Sequence, residues 1–388
     1  MTEDQVPAVL PKVLIVDLSL GYGGSTSRVL TLLQRSAPGS LGLACLEGAS
    51  VTEHARRLGL PVHIVGKNKM DPRILFNLVR LVRSQGYEVL DSQNIQSKFW
   101  ANFAAILTRT TLISTVHSWY IDEHGRDSFR GKIYTALEIF TNRALHLYIT
   151  VSKKDERALL DSRIPGDDIV LIYNAVDIDP SNVKADPDWL RGKFGFPPDS
   201  IISTAVGRLV SAKNHRVLVS AMKQAVEQVP QLRCVIIGSG DHKALLEEQI
   251  RELGLEDHVC LAGYLEREEV LSIVKSSEIY VMPSRYEGTP IALLEAAALG
   301  RPILSTYAGG VPELVSDNEH ALLVQPEDVD GMAAALVKLA LDREYAAALG
   351  SQAQQHVRDT FSLERQVELT WQAYQKASKR HPSHRYMY

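Results

Sequence analysis

The chain has 388 residues, 45% hydrophobic and 23% charged, a composition that excludes collagen-like, coiled-coil and disordered proteins. Its length exceeds one compact core and predicts two domains of roughly 150–200 residues each. Its 42 basic and 46 acidic side chains leave a formal charge of −4, which argues against a bulk nucleic-acid binder.

The first dozen residues are polar and acidic, unlike the basic start and long apolar core of a signal peptide. No stretch approaches the ~20 apolar residues of a membrane span. Cys45, Cys234 and Cys260 are too few and too scattered for a zinc site or a disulfide framework, and fit a reducing compartment. A cytoplasmic protein is expected, with room for contact at the inner face of a membrane.

Val13–Val16 reads as the first strand, followed by the turn Gly21-Tyr22-Gly23-Gly24 and a helix over 25–34. Further strands are predicted at Leu41–Leu46, 62–65, Val89–Ser92, 112–116, 147–151 and 169–172, with helices such as 73–84 and 98–107 between them. This alternation means βαβ units and a parallel sheet covered on both faces. Over 174–200 proline and aspartate crowd together, as in a linker. The alternation then restarts, with strands at Ile201–Val206, 234–237, 259–261, Ile279–Met282 and 303–305. From 330 to about 379 the pattern is almost wholly helical. The predicted organisation is an α/β chain of two doubly wound domains. Residues 1–180 form the first, 181–199 the linker and 200–365 the second, and 366–388 a further helix with a basic tail. Open parallel sheets bind ligands at the carboxyl ends of their strands, so two facing sheets would define a cleft.

Several motifs fail. The first glycine turn has Thr26 where a dinucleotide fingerprint wants glycine, so a dehydrogenase is weakly supported. No Walker loop, HExxH helix or GxSxG elbow occurs. Asp177-Ile178-Asp179 could hold a metal, but an acidic turn is the stronger reading there.

The informative stretch runs from Ser284 to Pro302. Thr289 suits an N-cap and Pro290 the first helical position, while Gly300 and Pro302 end the helix. Free amides near Ile291 and Ala292 make an anion site. Glu287 precedes the helix and Glu295 lies within it, and carboxylates accept hydrogen bonds from hydroxyls. A ligand with phosphate and hydroxyls, such as a nucleotide sugar, fits as well as an ordinary capped helix does. Gly207-Arg208-Leu209 and Lys213 tip the balance. Arg208 and Lys213 flank a strand-to-helix turn, where a diphosphate leaving group without a metal needs fixed cations. A solvated pair is the alternative, but the helix dipole disfavours cations there. The turn Gly238-Ser239-Gly240, the loop Gly309-Gly310-Val311-Pro312-Glu313 and His117 also follow strands.

Taken together, these residues resemble the retaining glycosyltransferases of family 4, which have the GT-B fold of two Rossmann-like domains facing across a cleft. The match is strongest from Val206 to Glu313, in Gly-Arg-Leu with its following Lys, the Gly-Ser-Gly turn, and Glu287 and Glu295 with seven residues between them. Looser matches are Gly23-Gly24, His117 and the run Tyr173-Asn174-Ala175-Val176-Asp177. The resemblance implies a metal-independent transfer from a UDP- or GDP-sugar, without cofactor, to a glycan or lipid-linked acceptor in polysaccharide biosynthesis. It implies catalytic roles for His117, Arg208, Lys213 and Glu287. Donor binding would fall to Gly23, Gly24, Asn174, Gly207, Gly238, Gly240, Tyr264, Gly288, Thr289, Pro290, Ile291, Ala292 and Glu295. The resemblance also implies that the helix in 366–388 returns toward the first domain. Ser25-Thr26-Ser27 and Ser118 depart from the family pattern on the acceptor side. The segments 71–83 and 98–103 mix basic and apolar residues, as a lipid-bound acceptor would require, although helices packed on the sheet explain them more simply. A nucleotide-sugar epimerase or hydrolase of the same fold, a non-catalytic two-lobed sugar-binding protein and a dead relative are the alternatives.

Overall fold

The computed structural model describes residues 10–21, 23–117 and 145–379. Tyr22 of the first glycine turn, the departure at Ser118 and the basic tail beyond Lys379 lie outside the described residues, whereas Ser25-Thr26-Ser27 are described. The chain divides into two units. One comprises the residues up to Tyr173 with those from Glu364 onward, and the other Asn174–Leu363.

The first unit is built on a parallel sheet of seven strands, β1 (Val13–Val16), β2 (Leu41–Leu46), β3 (Val62–Gly66), β4 (Val89–Ser92), β5 (Thr111–Val116), β6 (Leu145–Thr150) and β7 (Ile169–Leu171), in the order β3-β2-β1-β4-β5-β6-β7. Val13 pairs with Leu41 on one side and Val89 on the other, so β1 is central. All four of its side chains are buried, which is why it reads as an unbroken apolar run rather than an alternation. The strand order reverses between β1 and β4. At that switch point α1 (Gly24–Arg35) starts, and Asp17, Gln93 and His117 follow the strand ends. The helix predicted at 98–107 begins earlier, spanning Ile95–Thr108, because the Asn94 side chain caps it by accepting from the Ser97 N–H at 2.9 Å.

The helix Leu363–Ser378, the last among the described residues, belongs to this first unit from Glu364 onward. Trp371, Ala373, Tyr374 and Ala377 are buried in its core, and the Tyr374 hydroxyl donates to Asp91 Oδ2 at 2.7 Å. Chain ends separated by the whole second unit thus share one core.

The second unit carries six parallel strands, β8 (Ile201–Val206), β9 (Leu232–Ile237), β10 (Val259–Gly263), β11 (Ile279–Met282), β12 (Ile303–Thr306) and β13 (Leu322–Val324), in the order β10-β9-β8-β11-β12-β13. The order reverses between β8 and β11. The edge strand β13 escapes the sequence pattern because it is only three residues long.

The reading of 181–199 as a linker is corrected. Asp186 caps the helix Pro187–Phe194 by accepting from the Trp189 N–H at 2.9 Å, Pro187 opens it and left-handed Gly195 closes it. Leu190 on that helix is fully buried with Ile202, Val235, Ile237 and Ile273. The prolines and aspartates mark helix ends packed on the second sheet, not a free tether. The Asp177-Ile178-Asp179 triplet also lies in the second unit. Asp179 accepts from the Ser181 N–H at 2.9 Å and hydroxyl at 2.7 Å, the behaviour of a turn former.

Candidate functional site

In the second unit the predicted donor residues gather along one edge of the sheet, at the carboxyl ends of β10, β9, β8, β11 and β12. The strand order reverses there, so neighbouring loops diverge and leave room for a ligand.

The loop after β8 is held by close backbone contacts. The Leu209 N–H donates to Ser239 O at 2.9 Å, and the His242 N–H to Leu209 O at 2.9 Å. A Cβ on Gly238 would lie 1.9 Å from Gly207 O, and one on Gly240 2.4 Å from Leu209 O. Gly238 and Gly240, assigned to donor contact from sequence, therefore have a prior structural task. They let the β9 turn lie against the Gly207–Leu209 loop and set the position of Arg208. Arg208 is exposed, and its guanidinium makes no hydrogen bond or ion pair with the described residues.

Lys213 is engaged. Its Nζ lies 2.5 Å from Glu287 Oε1, which also accepts from the Ser284 hydroxyl at 2.5 Å. The Glu287 side chain is only 8% exposed, so this cation and hydroxyl take the place of lost water. Both partners are fixed from behind. Arg285 donates to Glu327 at 2.5 Å and 3.1 Å and to the Ser211 hydroxyl at 2.9 Å, tying the loop after β11 to the loop after β8. Asn214, in the left-handed region at φ 53°, donates to the same glutamate at 2.8 Å. The Glu287 carbonyl accepts from the Gly310 N–H at 3.0 Å, and a Cβ on Gly309 (φ +55°) would lie 1.9 Å from that carbonyl oxygen. The glycine loop after β12 is thus a clamp on Glu287.

The helix that follows spans Ile291–Ala298, with Pro290 at its N-cap and no side-chain cap hydrogen bond. Thr289 is one residue too early for the capping role predicted for it. Its carbonyl instead accepts from the Asn174 side chain at 2.8 Å, both residues being buried. Asn174 thus braces the loop Glu287-Gly288-Thr289-Pro290. The first amides, at Ile291 and Ala292, are left without a capping side chain in a half-buried setting, the arrangement that attracts an anion.

Glu295 lies on this helix. Arg267, at the start of the helix Arg267–Ser276, donates to its Oε1 from Nε at 3.0 Å and from Nη2 at 2.8 Å. Burial raises the Glu295 carboxyl above its ordinary range, against the pull of Arg267. Tyr280, on β11, is buried. Its hydroxyl has no partner among the described residues, and burial followed by the charges of Glu287 and Glu295 pushes it well above the ordinary phenol range. Neither Glu287 nor Glu295 uses Oε2 in any hydrogen bond among the described residues, whereas Oε1 of each is held by a cation. Tyr264, half-exposed after left-handed Gly263, stands at the end of β10.

In the first unit His117 follows β5, and its Nε2 lies 2.8 Å from Gln93 Oε1, so Nε2 carries the proton and donates. Its buried Nδ1 has no partner among the described residues. Burial, then the charge of Arg28, pushes its pKa down to about 3, so the ring is neutral. Behind Gln93 sits buried Asp91, which accepts from Thr115 at 2.8 Å and Tyr374 at 2.7 Å. Burial pushes Asp91 up to about 6, against the hydrogen bonds from Tyr374 and Thr115 and the charge of Arg28. A Cβ on Gly23 would meet nothing within 4 Å, so packing alone does not demand that glycine.

Sequence reasoning missed Arg267, Ser284, Gln93 and the Arg285–Glu327 brace. Two of these carried a signal. Gln93 follows a strand end as His117 does, and Arg267 opens a helix, where a cation is unfavourable. Lys98, in the segment that mixes basic and apolar residues, is buried and donates to the Tyr148 hydroxyl at 2.8 Å, which agrees with the reading of that segment as a helix packed on the sheet and not as a lipid-facing surface.

Two Rossmann-like units, the second with cations, uncapped amides and paired carboxylates at its switch point, define a GT-B protein. Two family models match the chain, glycosyltransferase family 4 over residues 24–180 and glycosyl transferases group 1 over residues 188–356. The chain belongs to this family and is a glycosyltransferase. An Escherichia coli relative, UDP-Gal:alpha-D-GlcNAc-diphosphoundecaprenol alpha-1,3-galactosyltransferase, is 27% identical over 70% of this chain and 71% of its own. A GDP-mannose-dependent alpha-(1-6)-phosphatidylinositol monomannoside mannosyltransferase of Mycolicibacterium smegmatis is 30% identical over 45% of this chain and 48% of its own. Among solved structures, Anabaena HepE in complex with UDP-glucose superposes with a TM-score of 0.81 at 20% identity, covering 94% of this chain and 98% of that one.

Proposed function

We propose that the protein is a retaining glycosyltransferase that moves a hexose from a UDP- or GDP-sugar to a lipid-linked or glycan acceptor without a metal. One observation carries this reading. Glu287 and Glu295 each have Oε1 held by a cation and Oε2 open, beside an uncapped helix start and the unpaired Arg208. Open carboxylate oxygens suit hydroxyls, whereas the amides and guanidinium suit phosphate.

Arg208, Lys213 and the amides of Ile291 and Ala292 hold the donor diphosphate and take up the charge that develops as it leaves. Glu295 receives the ribose, Tyr264 borders the base, and Glu287 faces the transferred sugar. The acceptor oxygen bonds to the anomeric carbon on the face from which the phosphate oxygen departs, and that oxygen takes the acceptor proton. The protein supplies position and charge rather than a strong base. In the first unit neutral His117 offers an unpartnered Nδ1 to a sugar hydroxyl, and Gly23-Gly24 lets backbone approach the substrate.

The names of the relatives support a lipid-borne acceptor, one being diphosphoundecaprenol-linked and the other a phosphatidylinositol mannoside. No helix among the described residues is long and apolar enough to cross a membrane. The helix Arg73–Gln85 supports peripheral contact instead. It buries Ile74, Leu78 and Val82 and exposes Arg73, Phe76, Arg80 and Arg83.

The test is a panel of UDP- and GDP-sugars against lipid-linked acceptors in EDTA, with the anomeric configuration of the product read by NMR. Retention without added metal is expected. An inverted product, or free sugar alone from every acceptor, would refute the reading.

A further inference from the structure

The ion pair between Arg267 and Glu295 has an unusual form. A guanidinium normally grips a carboxylate with two N–H groups on its two oxygens. Arg285 does so in this unit, with Nε on Glu327 Oε1 at 2.5 Å and Nη2 on Oε2 at 3.1 Å. Arg267 instead places both donors on one oxygen, Oε1, at 3.0 Å and 2.8 Å. Oε2 of Glu295 accepts no hydrogen bond among the described residues and is not among the buried unpartnered atoms.

Arg267 is also misplaced for its own helix. It is the first residue of Arg267–Ser276, where the dipole favours acidic residues such as the neighbouring Glu268 and Glu269. The Arg267 side chain is 43% exposed and that of Glu295 only 13%, so the arginine brings charge to a carboxylate that water reaches poorly.

We infer that Arg267 is a positioning residue for the donor site: by holding Oε1 with two N–H groups it turns Oε2 of Glu295 toward the vicinal hydroxyls of the donor's ribose. This rests on the reading of Glu295 as the ribose ligand. Arg267 itself touches no substrate. It fixes the carboxylate rotamer and offsets the burial that favours the protonated acid, a form that would give up one acceptor. Among the described residues, the titratable group besides Arg267 whose charge couples to Glu295 is Tyr280 on β11, whose phenol stays neutral. The adjoining helix Arg343–Thr360 meets the far end of the Glu295 helix through neutral groups, with Gln354 donating to Ala298 O at 2.8 Å.

The experiment is calorimetric titration with whichever of UDP and GDP binds more tightly, and with its 2′-deoxy counterpart, on wild type, Arg267→Ala, Arg267→Lys and Glu295→Ala. Wild type should prefer the ribonucleotide by roughly tenfold or more, the range of a hydrogen bond to a charged group. Arg267→Ala should shrink that preference to within about threefold, and Arg267→Lys, which keeps the charge but not the fork, should fall between. In Arg267→Ala the remaining preference should fade further as the pH is lowered and Glu295 takes up a proton, more steeply than in wild type. A full preference in Arg267→Ala, with its loss in Glu295→Ala, would overturn the role of Arg267 alone. A full preference in Glu295→Ala would overturn the ribose reading and this inference with it.

Discussion

Replacing Lys213 with alanine separates what the Lys213–Glu287 pair does for stability from what it does for catalysis. The two side chains are 24% and 8% exposed and meet at 2.5 Å. Removing one partner of a buried pair costs about 3–5 kcal/mol, because the remaining charge stays desolvated. Here Ser284 still donates to Glu287 at 2.5 Å, and water can enter where the lysine was partly exposed, so the expected loss is about 2 kcal/mol. Lys213→Ala/Glu287→Gln removes both charges and should recover about 1 kcal/mol of it in urea denaturation. Turnover should behave differently. Loss of a fixed cation at a departing diphosphate lowers kcat by about 10²–10³, and the double variant should be no faster. A Lys213→Ala enzyme with wild-type kcat, or a double variant in which stability and turnover recover together, would refute the reasoning.

Three further outcomes follow from the geometry. Gly309→Ala drives a Cβ to 1.9 Å from the Glu287 carbonyl at φ +55°, so it should abolish transfer while leaving the first unit's hydrogen exchange unchanged. His215 is buried with its pKa lowered to about 4, first by burial and then by Lys213. The unfolded chain therefore takes up a proton more readily, and His215 costs the fold up to about 3 kcal/mol as pH falls from about 6.5 toward about 4. Above that window the penalty is absent, and His215→Gln should flatten the acid limb of a stability–pH curve. Tyr374→Phe removes one of the two hydroxyls on buried Asp91 and should destabilise the first unit by about 1–2 kcal/mol, read as lost amide protection in β4 and β5.

The sheet strands were legible because parallel strands buried on both faces are continuous apolar runs, and Val13–Val16 and Ile279–Met282 stand where those runs do. The linker was misread because proline and aspartate serve equally as helix caps, as Asp186 and Pro187 do. The positions of Glu287, Lys213 and Arg208 were legible from chemistry that follows a strand. What holds them was not. The Gly309 clamp, the Arg285–Glu327 brace across more than forty positions of chain and the Arg267 fork join loops that only the sheet order brings together. Glycine turns look alike in sequence, whether they receive a ligand or, like Gly238, another strand's loop. The partner of Lys98 was equally hidden, since nothing in its helix points to the buried Tyr148 hydroxyl that receives it.

The central claim, that the second unit holds a nucleoside diphosphate with its own cations and amides, is tested most directly by titrating UDP and GDP into wild type and Arg208→Ala in EDTA. The account predicts binding of one nucleotide without metal, weakened roughly tenfold or more in the variant. Binding that appears only with added magnesium, or equal affinity in the variant, would contradict it.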